Sequence, residues 1–244
     1  MIEAGLWGLV GGGALVIGAA LGLRVRFSQP AIGLIMAFGA GVLISAAAFE
    51  LTAEAFERGG RDATALGLIA GALAFFVADT VVTRRGGAHR KRSQGQQAGG
   101  SGPALVIGSL LDGVPESAAI GISLLEGKGV GVAVVAAVFI SNVPESLSAA
   151  SGQRKAGHST RWIIGLWTGV ALASALASLA GFALLDGASG DAIGAIQAFA
   201  AGAIVVMLAD TMVPEAYEDS GRRNWVGLVT AAGFGLAFML STLE

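Results

Sequence analysis

The chain has no cysteine, which excludes disulfides and thiolate metal sites and leaves the redox state of its compartment without a mark on it. It is also short of charge. Asp, Glu, Lys and Arg make up 13% of the 244 residues, too few to cover a soluble domain of that size. A formal charge of -2 gives no reason to expect nucleic acid or a strongly acidic partner. Histidine is limited to His89 and His158. What the chain does have is apolar: 54% hydrophobic residues, a mean hydropathy of +0.73, and 39 glycines set inside the apolar runs with no fixed period. That pattern excludes collagen-like and disordered chains. It is the composition of a membrane protein whose helices pack backbone to backbone in lipid.

A membrane crossing takes roughly 20 apolar residues. Eight segments qualify, at 5–23, 31–52, 63–83, 103–125, 129–152, 162–185, 192–213 and 225–243, and they predict an all-α polytopic protein with residues 1–244 as a single transmembrane domain. The first has no basic leader ahead of it, so it reads as a retained span rather than a cleaved signal. Arg24, Arg26, Arg84, Arg85, Arg90, Lys91, Arg92, Arg154, Lys155, Arg161, Arg222 and Arg223 fall in one set of connections, and only Arg58, Arg61 and Lys128 in the other. Positive charge collects on the cytoplasmic side, so both termini are expected outside a cell membrane that the chain crosses repeatedly. No Lys or Arg falls within a span.

Residues 84–102, RRGGAHRKRSQGQQAGGSG, cannot bury apolar surface and are expected to form a flexible cytoplasmic loop. AIGLIMAFGAGVLISAAAFELTAEAFE (31–57) and AIGAIQAFAAGAIVVMLADTMVPEAYE (192–218) align without gaps. Five spans apart, they cross in opposite directions, which predicts inverted repeats, spans 1–3 and 6–8, around spans 4 and 5, with a midplane binding site. Gly8/Gly12, Gly18/Gly22, Gly67/Gly71 and Gly165/Gly169 place glycines on single helix faces as packing seams, and Trp7, Trp162 and Trp225 mark span ends.

Val-Pro-Glu-Ser occurs in span 4 (LLDGVPESAAIG, 110–121) and again in span 5 (FISNVPESLSAASG, 139–152). Asp112 and Glu116 are four apart and share a helix face, Ser141 and Glu145 repeat the spacing, and Asn142 lies alongside. Pro115 and Pro144 lack the N–H that would engage the carbonyls of Leu111 and Ile140, which become spare oxygen ligands. Asp112 stands about nine residues into its span, roughly 14 Å deep at 1.5 Å per residue. With no Lys or Arg in any span, Asp112, Glu116 and Glu145 must be protonated or share a cation. The doubled motif favours the cation.

These residues resemble the ZIP (Zrt/Irt-like) divalent metal transporters across essentially the whole chain: eight spans, a long cytoplasmic loop after span 3, and Pro-Glu-small motifs in spans 4 and 5. The resemblance implies a binuclear metal site in the transport path. Glu116 and Glu145 match its central glutamates, Asp112 falls where a His usually stands, and Asn142 on the second polar position of span 5. Gly113 replaces the usual Asn, Ser141 replaces a stronger ligand, and span 6 carries no acid between Trp162 and Leu185, which puts one metal position in doubt. A homodimer is also implied. Oxygen ligands without imidazole favour harder ions such as Mn²⁺, while the family prior favours Zn²⁺ and Fe²⁺, bound as substrate with no resident cofactor.

Glu50 near the outer end of span 2 and Asp210 near the inner end of span 7 are candidate path acids, and Asp79 reads as an interfacial residue reaching water. A proton-coupled carrier of an organic cation would use the same carboxylates, and a ZIP-like sensor would bind metal without moving it. An intramembrane enzyme ranks last, because Ser141 and Ser146 have no His or Lys nearby to activate them.

Overall fold

Long runs of Ala, Leu, Ile and Val in an apolar surrounding leave backbone groups no partner but their own chain, and helix is the result. The computed structural model describes residues 1–126, 130–221 and 223–242, and every regular element among them is helical. In chain order these are α1 (Ile2–Arg24), α2 (Gln29–Ser45), α3 (Glu54–Val82), α4 (Gly102–Ser123), α5 (Val132–Lys155), α6 (Thr160–Leu185), α7 (Gly190–Met207), α8 (Val213–Ser220) and α9 (Arg223–Ser241). Side chains of Ser159 and Ser189 accept from the backbone N–H of Trp162 and Ala192 and set the starts of α6 and α7. Lys128 and Arg222, both counted in the charge asymmetry, lie outside the described residues.

Among the described residues, seven helical stretches are long and apolar enough to cross a membrane, where eight segments were expected. The difference lies between expected spans 2 and 3. They follow each other without an intervening loop over the 59 residues Gln29–Gly87, helical up to a single sharp break between them. The connecting residues place Glu54 four before Arg58 and Glu57 four before Arg61, a spacing that supports helix where a loop was expected. Gly60 breaks the stretch with φ 68° and ψ -171°, a conformation open to glycine.

The aligned segments share a feature that sequence did not disclose. After α2 the helix widens into a π-helical stretch, Ala46–Ala53, and after α7 into another, Leu208–Met212, at corresponding positions of the alignment.

α1 packs against α5 and α6, α3 along α7, α2 against α9 and α8, and α4 against α6 and α7, so that α4 and α5 run through the interior. Both continue as helix through Pro115 and Pro144. Close approach is widespread: a Cβ on Gly121 would land on the carbonyl oxygen of Ser178, which lets α4 and α6 touch backbone to backbone. Gly8, Gly12, Gly18, Gly22, Gly67 and Gly71 are packed in the same way, whereas Gly165 and Gly169 face open space. The outer surface is apolar, with Leu184 81%, Leu66 69% and Leu176 68% exposed. Lipid is the solvent that such a surface suits. Trp225 is on that surface, while Trp167 is buried and donates from Nε1 to Gln153 Oε1 at 3.3 Å.

Candidate functional site

Four-residue spacing puts Asp112 and Glu116 on the inward face of α4, and α5 brings Glu145 to meet them; all three are buried. Sequence reasoning expected them to lack any basic partner. The structure corrects this, because the cations come from the connection between α3 and α4. The 84–102 segment, expected to be flexible, sends Arg90 and Lys91 into the bundle, where they are 2% and 4% exposed. A loop with little apolar surface can still seat itself by burying charge against charge.

Arg90 grips Asp112 with two bonds, Nε to Oδ2 at 2.8 Å and Nη2 to Oδ1 at 2.9 Å. Its Nη2 also lies 2.6 Å from Asp79 Oδ1, so Asp79 is an internal ion-pair partner rather than an interfacial residue reaching water. Lys91 Nζ stands 3.1 Å from Glu145 Oε2 and 3.4 Å from Asp112 Oδ2. Burial alone would lower the pKa of Lys91, but Asp112 and Glu145 outweigh it and hold the ammonium above its ordinary value. Arg90 is raised in the same way by Asp112 and Asp79 against its own burial.

Glu116 is the exception. Its side chain is 1% exposed, it lies within electrostatic reach of Glu145, Lys91 and Asp112, and neither carboxyl oxygen has a hydrogen-bond partner. A carboxyl so placed is costly to bury. Ser141 and Asn142 direct their donors elsewhere: Ser141 Oγ to Val138 O at 3.0 Å, and Asn142 Nδ2 to Gly11 O on α1 at 3.0 Å. The structure therefore joins Asp112 and Glu145 through Lys91, with Glu116 beside them, and shows no bond from Ser141 or Asn142 to that group. Among the described residues, no three His, Asp or Glu side chains converge closely enough to hold one ion in this conformation.

Beyond Lys91 the segment is anchored at the end of the bundle. Ser148 Oγ donates to Lys91 O at 2.7 Å, Ser93 N to Glu215 Oε1 at 3.0 Å, and Lys155 Nζ to Ser93 O at 2.9 Å. Arg92 pairs with Glu215 at 3.1 Å and with Glu218. Asp210, on the second π-helical stretch, borders a cavity of about 30 Å³ with Arg90, Lys91, Arg92, Thr211 and Glu215, room for about one water. Glu50 is buried on the first π-helical stretch, and its backbone carbonyl accepts from Gln197 Nε2 at 3.0 Å. His158 stacks on Trp162 with centroids 4.1 Å apart.

Arg90, Lys91 and Asp79 are the site residues that sequence reasoning missed. One signal was present: three intramembrane acids without a cation, preceded by an Arg-Lys-Arg run in the connection ahead of span 4.

Fold and site together define a multi-pass helical membrane protein with a buried carboxylate centre balanced by two cations from its own loop. No family model matches the chain. It is similar to a proposed zinc transporter of Arabidopsis thaliana, with 28% identity over 217 residues covering 86% of this chain and 34% of that protein. The chain thus spans about a third of the length of that curated relative.

Proposed function

We propose that this chain is a ZIP-like divalent metal transporter that moves Zn²⁺, Mn²⁺ or Fe²⁺ into the cytoplasm, with Glu116 and Glu145 as the principal ligands. The observation that carries the reading is Glu116, a fully buried carboxyl with two unpartnered oxygens next to a second glutamate. A cation between them would remove the desolvation cost that nothing bonded to Glu116 now offsets. The name of the Arabidopsis relative supports the same substrate class. Asp112, held bidentately by Arg90, contributes charge rather than a ligand in this conformation.

The stretch Gln29–Gly87 crosses twice and turns at Gly60, since its 59 residues far exceed the roughly 20 of one crossing. That gives eight crossings with both termini outside. The matched π-helical stretches support an inverted-repeat relation of the two flanking units. Inward movement of a dication gains about 4.6 kcal/mol per 100 mV of inside-negative potential, two charges at about 2.3 each.

A second reading is favoured by one observation: the centre already accommodates a primary ammonium, that of Lys91. A carrier of organic amines would build such a seat. Uptake of Zn²⁺, Mn²⁺, Fe²⁺ and methylammonium into proteoliposomes separates the two. Saturable divalent flux that Glu116→Ala and Glu145→Ala abolish is expected; amine flux indifferent to divalents would replace the metal reading with the second.

A further inference from the structure

The ammonium of Lys91 stands where a transported cation would have to stand, between Asp112 and Glu145 and within reach of Glu116. The two loop cations are held differently. Arg90 is fixed by two aligned hydrogen bonds to Asp112 and a close contact to Asp79, a clamp whose planar fork matches its partner. Lys91 Nζ is shared between single oxygens of two carboxylates, at 3.1 Å and 3.4 Å, without the planar fork that fixes Arg90. A compact ammonium is held as a point charge more than by shape, so another cation can take its place between the same carboxylates.

The main chain of Lys91 is held independently of its side chain, by Ser148 through its carbonyl and by the anchoring of Ser93 to Glu215. Arg90 holds the residue before it. The four-carbon stem is therefore free to move the ammonium while the loop stays in place. On its flank lies the small cavity whose wall carries Asp210 and Glu215 together with Arg90 and Arg92, polar surroundings next to the ammonium.

We propose that Lys91 is a tethered competitor for the cation seat: its ammonium occupies the seat when no substrate is present, and a divalent ion must expel it to bind at Glu116 and Glu145. The inference rests on the reading of those glutamates as the metal site. Tethering gives the ammonium an effective concentration of about millimolar or higher, so Lys91 sets the affinity of the site from within. It also keeps Glu145 from standing as a bare carboxylate between transport cycles. Arg90 is permanent neutralisation for Asp112, and Lys91 is exchangeable.

The test is equilibrium binding of radiolabelled Zn²⁺ and Mn²⁺ to the purified full chain in nanodiscs, for the unmodified protein, Lys91→Met and Lys91→Ala. Lys91→Met keeps the apolar stem, guards against misfolding, and should bind the divalent ions tenfold or more tightly. Removing any positive charge from an anionic site would tighten binding somewhat, so the shortened variant supplies the discriminating readout. In Lys91→Ala the seat is empty and open to a small amine. Ethylammonium at millimolar concentration should weaken metal binding to Lys91→Ala about tenfold and leave the unmodified protein, whose seat is filled, unaffected. Metal affinity unchanged in Lys91→Met, or ethylammonium without effect on Lys91→Ala, overturns the proposal. If no variant binds a divalent ion, the metal reading itself fails, and direct binding of labelled ethylammonium decides the seat: binding to Lys91→Ala and not to the unmodified protein upholds it, and binding to neither overturns it.

Discussion

Substituting Arg90 by Ala removes a group that contacts both Asp79 and Asp112. Asp112 is 1% exposed and Asp79 16%, so the first carboxylate is left with only Lys91, at 3.4 Å, and the second loses the Arg90 contact in a half-buried position. Breaking a buried ion pair from one side costs about 3–5 kcal/mol, because the remaining charge is uncompensated. A chain of this length loses roughly 2–4 °C of Tm per kcal/mol, which puts the expected fall at about 6–20 °C. Thermal unfolding in detergent, followed by the fluorescence of buried Trp167, measures it. Replacing both partners, as in Arg90→Met with Asp112→Leu, leaves no stranded charge at Asp112. The double variant should cost less than the sum of the two single ones by about 1–3 kcal/mol. A single variant within 2 °C of the unmodified protein, or strict additivity in the double, would refute the view that the loop is held in the bundle by this clamp.

Helix contact at Gly121 leaves no space for a methyl group, so Gly121→Ala should destabilise by about 1–3 kcal/mol in the same melt, whereas Gly165→Ala, with nothing near, should change it by less than about 0.5 kcal/mol. Trp167→Ala should cost about 3–5 kcal/mol, through lost volume and a stranded Gln153 amide, seen as a lower Tm by calorimetry. If Glu50 lies on the path, Glu50→Gln should raise the half-saturating metal concentration for proteoliposome uptake with little change in Tm. An equal loss of both would assign it to packing on the π-helical stretch.

The all-helical build and its close helix contacts are legible in the sequence, because lipid imposes a simple code: apolar length, and small residues where helices touch. The burial of Asp112, Glu116 and Glu145 follows from the same code, since a four-residue spacing fixes their common faces. The absence of a loop between the two runs of Gln29–Gly87 was not legible. Charged residues and two glycines between the apolar runs read as a loop, yet their spacing also suits a helix, and only the φ of Gly60 marks the break. The seating of Arg90 and Lys91 was hidden for a different reason. Hydropathy finds segments that bury apolar surface, and this loop buries charge; its partners Asp79 and Asp112 are 11 and 22 residues from Arg90 and join it only after α3 and α4 pack. Counting intramembrane acids against intramembrane bases exposes the deficit but does not say which loop fills it. Ser141 and Asn142 turn their donors away from the acids for a local reason: hydroxyl and amide donors in a low dielectric take the nearest carbonyl, here Val138 and Gly11.

The unpartnered carboxyl of Glu116 is the centre of the account, and Glu116→Leu tests it most directly, with Tm measured with and without Zn²⁺ or Mn²⁺. Leucine keeps the apolar bulk and removes two buried oxygens that bond to nothing, so the metal-free variant should be at least as stable as the unmodified protein, with a gain of about 1–3 kcal/mol. Metal at a hundredfold excess over its dissociation constant should stabilise the unmodified protein by about 2.7 kcal/mol and leave the variant unmoved. A variant that melts lower and still shifts with metal would contradict the account, placing the ion elsewhere and making Glu116 a structural group.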